Sequence, residues 1–266
     1  MKPIDKINHH LANIGAPVLN FVAFNGFLSR IFVSTVRLLF IGYRHGQPVR
    51  LRHVFADIRS GGIDALPVVF LMAATIGVML SIQGIHSLRI FGAESQVTFG
   101  LALSVPREFA PLITGIIVAG RSGSQLTSRV GSMRLNGELD ALEVMGISPI
   151  RFVVAPALIS LILTLPILVA VANVSAFWAA SVYIESVLGI APAAYWADVL
   201  SVVTLDDLIH GFGKSLIFAV LIALIGIAKG LGVSGGADRL GAATTSSVVT
   251  CIAAIIAADT LFALVL

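Results

Sequence analysis

Five long apolar stretches constrain what this chain can fold into more than any other feature of its sequence. They run over about residues 65–88, 97–120, 152–184, 208–232 and 241–266. A helix needs about 20 mostly apolar residues to cross a bilayer, so each stretch is long enough. Only 12% of the 266 residues are charged, about half the share found in a soluble domain. The sequence therefore predicts an all-α integral membrane protein with about five transmembrane helices.

These stretches and their loops use most of the chain, which leaves no room for a soluble catalytic domain. We expect residues 1–64 to form a cytoplasmic and interfacial helical region, and residues 65–266 to form a five-span membrane domain. The one cysteine, Cys251, lies in an apolar run, which argues against a disulfide framework or a metal cluster. No phosphate-binding loop of the form G-x-x-x-x-G-K-[ST] occurs. We predict no catalytic residue, metal or cofactor, and we expect another subunit to supply any nucleotide energy.

Residues 18–41 have the pattern of a helix that lies in the membrane interface. Arg30, Arg37 and Arg44 recur every seven residues and therefore share one helical stripe. The opposite face carries large apolar side chains, namely Phe24, Phe27, Leu28, Ile31 and Leu39. A cationic face toward headgroups and an apolar face toward acyl chains are typical of interfacial helices. We predict an interfacial helix, with a sixth span as the alternative.

The basic residues of the loops predict the orientation of the chain. Residues 1–62 hold eight Lys and Arg, the 121–151 loop holds four and the 229–240 loop holds two. The alternate loops hold one and none. Because cytoplasmic loops carry an excess of Lys and Arg, the N-terminus is predicted to be cytoplasmic and Leu266 to be external.

Two charged residues lie inside the second apolar stretch. Arg107 and Glu108 stand between Pro106 and Pro111, and their neighbours are mostly apolar. A charge at that depth costs ~2.5–3.5 kcal/mol on insertion scales, so it persists mainly where it pairs, faces a cavity or has a function. The prolines remove backbone donors at the same place, and neighbouring groups must then satisfy the carbonyls. We interpret this segment as part of a pathway for a substrate with a polar head.

Two more charged residues lie at a matching depth in the fourth and fifth stretches. Lys214 and Asp259 are each about six or seven residues from the external end of their stretch, or roughly 10 Å deep at 1.5 Å per residue. Glu108 is somewhat deeper, within reach of a lysine side chain. We predict that Glu108, Lys214 and Asp259 form a cluster, with Arg107 alongside, that lines an outward-facing cavity. The alternative is a structural ion-pair network that holds the helices in register.

The loop between the second and third stretches is predicted to contain a short amphipathic helix, at about residues 135–146. Its apolar positions, at helical spacing, are Leu135, Leu139, Leu142 and Met145. Asn136, Asp140 and Glu143 form a neighbouring polar stripe. Such a helix offers an apolar ridge and acidic groups to a cytoplasmic partner. The alternative is that it folds back on its own bundle or on the headgroups.

Small residues recur at helical spacing in two places. Gly115, Ala119 and Gly123 are four residues apart, as are Gly226 and Gly230. This spacing allows close helix approach. Five spans do not divide into equal halves, so a second copy is expected to complete the pathway. Packing within one chain is the alternative use of these glycines.

Four segments in fixed order resemble the signature of the MlaE/YrbE permease family. They are residues 106–111 (PREFAP), 119–123 (AGRSG), 131–134 (GSMR) and 138–149 (ELDALEVMGISP). Members of this family are the membrane subunits of ABC-type lipid transporters that work with MCE-domain proteins. The resemblance implies a homodimeric permease of the cell inner membrane with two cytoplasmic ATPase subunits. It also implies an MCE protein on the periplasmic side and movement of phospholipids between the inner and outer membranes.

The resemblance also implies roles for individual residues. The family's intramembrane glutamate, lysine and aspartate fall on Glu108, Lys214 and Asp259. Its ATPase-coupling helix falls on Leu135, Glu138, Leu139, Asp140, Leu142, Glu143 and Met145. One departure is Ser128-Arg129, where the family often has Ala-Glu, so that the charge is reversed. Others are Gly137-Glu138 for Glu-Gln and Ser148-Pro149 for Asp-Pro, which indicate a diverged branch.

We therefore expect a lipid-transporting permease in which Arg107 and Lys214 meet an anionic headgroup, balanced by Glu108 and Asp259 when the site is empty. Two alternatives stay open from the residues alone. In one, the chain is a partner-independent secondary transporter or proton-linked channel that uses Glu108, Lys214 and Asp259. In the other, it is a structural membrane anchor.

Overall fold

The computed structural model describes residues 19, 22–37 and 51–265, and over those residues it is helical with no β-strand. Within this part of the chain, five helical segments are long and apolar enough to cross a membrane. They are Arg52–Arg89, Glu94–Leu135, Ile150–Leu188, Leu205–Leu231 and Ala237–Leu264. The predicted all-α membrane fold with five spans is therefore confirmed.

We number the helices in chain order. α1 covers residues 22–37, α2 Leu51–Gly61, α3 Leu66–Arg89, α4 Val97–Ser104, α5 Ala110–Val118 and α6 Ser124–Leu135. α7 covers Glu138–Val144, α8 Ala155–Leu188, α9 Pro192–Val202, α10 Leu205–Leu231 and α11 Ala237–Val265. π-helical turns join α4 to α5 at Val105–Phe109 and α5 to α6 at Ala119–Gly123, and a third, Ile150–Val154, precedes α8. Short 3-10 turns, Ile63–Ala65 and Glu94–Gln96, precede α3 and α4.

Successive spans run in opposite directions, so their connections fall on two sides of the bundle. We call the side that carries the α3–α4 connection and α9 the outer side, following the prediction from loop charges. The opposite side, which carries α7 and the α10–α11 connection, is called the cytoplasmic side.

α8 and α10 form the centre of the bundle. In each of these spans 67% of the most apolar stretch of 18 residues is buried, against 28% in the first span and 17% in α11. α3 approaches α8 closely at Gly77, where a Cβ atom would overlap the backbone of Ala176. The exposed faces of α3 and α11 are therefore left to lipid or to another subunit.

The second span is longer than predicted, because the helix continues past its expected end to Leu135. The prediction ended it at the polar run that begins with Arg121 and Ser122. In the structure the Ser122 hydroxyl donates to the carbonyl of Gly61 at 3.0 Å, and Arg121 lies 3.6 Å from the Asp64 carboxylate. The helix accommodates these polar side chains because α2 and the turn after it supply their partners.

The small residues of the second and fourth spans pack within this chain. Gly115 faces Phe218 and Gly123 faces Ile222, both on α10. Gly226 and Gly230 lie against α5–α6, where a Cβ atom on Gly230 would be 2.7 Å from the side chain of Val130. Of the two predicted uses of these glycines, the structure shows the intrachain one.

α1 turns its apolar side toward the bundle. Phe24, Phe27, Leu28 and Ile31 pack against residues of α6, α7, α8 and α10. Arg30 and Arg37 are exposed on the other side. This arrangement is consistent with the predicted interfacial helix. Leu39 and Arg44, which belong to the same prediction, lie outside the described residues.

Candidate functional site

The π-helical turn Val105–Phe109 shapes the candidate site. Pro111 has no N–H group and cannot donate to the Arg107 carbonyl four residues back, so ordinary α-helical bonding fails here. The wider turn uses a different bond, in which the Ala110 amide donates to the Val105 carbonyl five residues back. Such turns occur frequently at functional sites. This one holds Arg107 and Glu108 inside a membrane-spanning segment.

The structure brings Glu108, Lys214 and Asp259 together. The Nζ of Lys214 donates to Oε2 of Glu108 at 2.5 Å, and it lies 2.9 Å from Oδ1 of Asp259. The second contact is an ion pair without the geometry of a hydrogen bond. The Lys214 side chain is fully buried, Asp259 is 15% exposed and Glu108 is 41% exposed. One lysine therefore links the second, fourth and fifth spans.

Lys214 is not available to a substrate in this arrangement. Its exposed fraction is 0%, and both of its contacts are carboxylates of the chain itself. A buried cation needs such partners because removing it from water costs several kcal/mol. A contact of Lys214 with a headgroup would need this side chain to become exposed, and it stays a prediction. The exposed member of the cluster is Glu108.

Arg107 lies outside the cluster, contrary to the prediction that placed it alongside. Its Nε donates to Oδ1 of Asp207, which is 1% exposed. Asp207 also closes a capping box at the start of α10, where it accepts from the backbone and hydroxyl of Thr204 at 2.8 Å. Asp207 was not among the predicted site residues. The spacing of Thr204 and Asp207, typical of a capping box, was the signal that could have identified it.

One face of α10 contacts three consecutive residues of the π-helical turn. That face carries three residues spaced one turn apart. Asp207 contacts Arg107, Gly211 contacts Pro106, and Lys214 contacts Glu108. A Cβ atom on Gly211 would overlap the Pro106 carbonyl, so the two backbones touch at this glycine. The turn is therefore docked rigidly on the outer half of α10.

A groove of about 260 Å³ lies beside this turn, between α3 and α4. Its walls are mostly apolar, with Leu80, Leu88, Leu101 and Phe109 among the lining residues. Gln83, Ser87 and Ser104 contribute polar groups. Since Phe109 belongs to the π-helical turn, the groove reaches the segment that carries Arg107 and Glu108, although neither side chain is part of its lining. An outward-facing cavity is predicted from the charged residues, whereas the apolar residues that line this groove are not.

The predicted cytoplasmic helix is shorter than expected, and its apolar ridge faces the bundle of its own chain. Gly137, with φ of +71°, separates α7 from Leu135, which belongs to α6. Leu139 and Leu142 are buried against α6, α8 and α10 of the same chain. The exposed side of α7 carries acidic and apolar groups, namely Glu138, Asp140, Glu143, Val144 and Met145. The two leucines thus pack α7 against its own chain. The face that a partner could reach is the acidic one, which also exposes Val144 and Met145.

Comparison with known proteins identifies the family. A profile of the family described as Permease MlaE matches residues 54–265. The chain belongs to the MlaE permease family. The matched range includes the π-helical turn, α7, Lys214 and Asp259, so the whole candidate site lies inside the family domain.

Several MlaE-family relatives cover most of the chain. A probable ABC transporter permease of Synechocystis is 32% identical over 207 residues, which cover 78% of this chain and 79% of the relative. The intermembrane phospholipid transport system permease protein MlaE of Haemophilus influenzae is 31% identical over 71% of this chain and 72% of its own length. The chloroplastic protein TRIGALACTOSYLDIACYLGLYCEROL 1 of Arabidopsis thaliana is 28% identical over 79% of this chain and 60% of that protein.

Proposed function

We propose that this chain is the membrane subunit of an ATP-driven transporter that moves phospholipids, or a related lipid, between the inner and outer membranes. The observation that supports this most is the junction of the apolar groove with the charged π-helical turn. A lipid has the same two parts, apolar chains and a polar headgroup. The name of the relative from Haemophilus influenzae, a phospholipid transport permease, points to the same substrate class.

The groove between α3 and α4 would hold part of an acyl chain. Beyond the groove, the surface of α3 exposes further apolar side chains, including Phe70, Leu71, Met79 and Ile82. Burying apolar surface contributes roughly 25 cal/mol per Å², so lipid chains are stabilised along this face. A second copy of the chain, as in the proposed homodimer, would enclose what the groove leaves open.

Arg107 would bind the headgroup. Asp207 occupies its Nε, and the side chain is 51% exposed, so the two terminal nitrogens can donate to another acceptor. Arginine recognises phosphate oxygens with two parallel hydrogen bonds. Glu108, also half-exposed, would favour headgroups that carry a cationic amine beside the phosphate. Lys214 and Asp259 would fix the position of Glu108 rather than touch the lipid.

The energy for movement would come from a separate cytoplasmic ATPase that docks on the exposed side of α7. An MCE-domain protein would receive or deliver the lipid on the outer side, which we propose to be periplasmic. The chain would lie in the cell inner membrane with its N-terminus in the cytoplasm. Its own role would be to form the lipid pathway, without catalysing ATP hydrolysis.

The test is to fill the groove and measure lipid movement. A Cβ atom on Gly100, which lines the groove, meets nothing within 4 Å, so a side chain can begin there without overlapping another group. Replacing a helical glycine by leucine also favours the helix. In proteoliposomes with the ATPase and the MCE protein, we expect ATP-driven lipid transfer to fall progressively for Gly100→Ala, Gly100→Leu and Gly100→Trp. Gly26→Leu, on exposed α1, is the matched control and should transfer lipid normally.

Lipid transfer that is unaffected by Gly100→Trp would contradict the proposed acyl site. Transfer that continues at the full rate without nucleotide would instead support the partner-independent transporter. The structure favours the ATP-driven function, because the lysine of a relay through Glu108, Lys214 and Asp259 is sealed from water here.

A further inference from the structure

The charge-reversed residue of the second span, Arg129, has a partner on α2. Its two terminal nitrogens donate to the two carboxylate oxygens of Asp57, at 2.5 Å and 3.2 Å. The Asp57 side chain is only 13% exposed, and Arg129 is 43% exposed. A bidentate pair of this kind fixes both distance and orientation, which a single contact does not.

The pair belongs to a row of contacts between the same two segments. Ser122 bonds to the carbonyl of Gly61, and Arg121 pairs with Asp64. The residue numbers of the partners increase along α2 while they decrease along the second span, so the two segments lie antiparallel. Between them is a cavity of about 40 Å³, lined by polar groups that include Gln125 and Ser160. Only the Asp57–Arg129 contact in this row joins two charged side chains by two hydrogen bonds.

Each partner of this pair belongs to a segment with a function in the proposed transporter. Asp57 lies on α2, which the short 3-10 turn Ile63–Ala65 joins to α3, and α3 forms one wall of the lipid groove. Arg129 lies on α6, which leads within two residues to α7 and is tied to it by the contact of Arg134 with Asp140 at 2.8 Å.

We propose that Asp57 and Arg129 are positioning residues that make the groove wall move with the ATPase-docking helix. The inference rests on the proposed function. A displacement of α7 is carried to α6, through the ion pair to α2, and through the 3-10 turn Ile63–Ala65 to α3. Because the pair is bidentate and Asp57 is nearly buried, α2 cannot shift along α6 without breaking it. Breaking the pair leaves ATP hydrolysis in place and disconnects it from the groove.

The experiment uses the complete complex with ATPase and MCE protein, and measures lipid molecules transferred per ATP hydrolysed. Arg129→Glu places two like charges opposite each other, and we expect the ratio to fall about fivefold to tenfold, the lower end of the usual range of coupling between sites. Asp57→Arg should give the same loss. The double variant Asp57→Arg with Arg129→Glu restores an opposite pair and should recover most of the ratio. Arg129→Lys keeps the charge but loses the bidentate geometry, so an intermediate ratio is expected.

Arg59→Glu is the control for net charge, since Arg59 is exposed on the same helix and pairs with no other described residue. It should keep the wild-type ratio. A wild-type ratio in Arg129→Glu, or no recovery in the double variant, overturns the positioning role while the proposed function stands. A wild-type complex that transfers no lipid with ATP overturns the proposed function, and this inference with it. A variant that lowers transfer and ATP hydrolysis in equal proportion indicates a merely structural pair and also overturns the inference.

Discussion

Lys214 shows at the scale of one residue how a membrane bundle is held together by charge. Its ammonium group is fully buried and contacts Glu108 and Asp259 from two other spans. Neither the ammonium nor a carboxylate is stable alone in such surroundings. The three residues therefore stabilise the fold as a set, and they also fix where the exposed carboxylate of Glu108 stands.

Replacing the lysine should destabilise the protein strongly. Lys214→Met leaves two carboxylates close together without a cation, and we expect a loss of about 3 kcal/mol, the lower end for a broken buried pair because Glu108 is partly exposed. Adding Glu108→Gln and Asp259→Asn removes the uncompensated charge and should recover most of this stability. Thermal unfolding in detergent measures both effects. Equal melting temperatures for Lys214→Met and the wild type would contradict the structural part of this account.

Tyr195 offers a second prediction at this scale. It is fully buried on α9, its hydroxyl has no hydrogen-bond partner among the described residues, and burial raises the pKa of the phenol above its ordinary value. An unsatisfied buried hydroxyl costs about 1–3 kcal/mol. Tyr195→Phe removes that hydroxyl and should raise the unfolding temperature. An unfolding temperature below that of the wild type would show that the hydroxyl has a partner in the membrane.

The predictability of the site differs between its residues for a physical reason. Depth along a helix follows from residue counting, so the contact of Glu108, Lys214 and Asp259 could be predicted from the sequence. The direction in which a side chain points around the helix axis cannot be counted across an interruption of the helix. The π-helical turn Val105–Phe109 changes the rotation per residue, and as a result Arg107 points to Asp207 instead of the cluster.

At the scale of elements, α7 has two faces with different surroundings. Leu139 and Leu142 attach it to α6, α8 and α10, and the opposite face exposes Glu138, Glu143 and Met145. The spacing of apolar and acidic residues predicted correctly that this helix is amphipathic. It did not indicate which face another subunit could reach, because an apolar ridge looks the same whether its own chain or a partner covers it.

The two faces of α7 should respond differently to mutation. Glu138→Lys with Glu143→Lys reverses the charge of the exposed face, so we expect loss of stimulation of the partner ATPase with an unchanged melting temperature. Leu139→Ala should do the opposite and cost about 2–5 kcal/mol of stability by creating a cavity. ATPase assays of the complex and unfolding of the isolated subunit separate the two. Full stimulation in the double charge reversal would rule out docking on this face.

At the scale of the whole molecule, the asymmetry of basic residues predicts which side faces the cytoplasm. Exposed residues on both sides of the bundle are available for labelling, with Phe91 80% exposed on the outer side and Val144 90% exposed on the other. Orientation itself can only be measured in a membrane. The native Cys251 is buried and can be replaced by serine to give a cysteine-free background.

Cysteine labelling in whole cells measures that orientation. In the Cys251→Ser background, Phe91→Cys should react with a thiol reagent that does not cross the inner membrane. Val144→Cys should react only after the membrane is opened, because the positive-inside rule places α7 in the cytoplasm. Reversed labelling of the two positions would show that the N-terminus is external.

The two wide turns of the second span have different prospects for motion. Each π-helical turn contains one residue more than an α-helical turn. Converting it to an α-helical turn would rotate the following segment about the helix axis by about 100°. At Val105–Phe109 the ring of Pro111 would clash with the Arg107 carbonyl in an ordinary α-helix, which opposes such a change. At Ala119–Gly123 no proline opposes it, so rotation at this turn would turn the half of the span that carries Arg107 and Glu108 relative to the half that leads to α7.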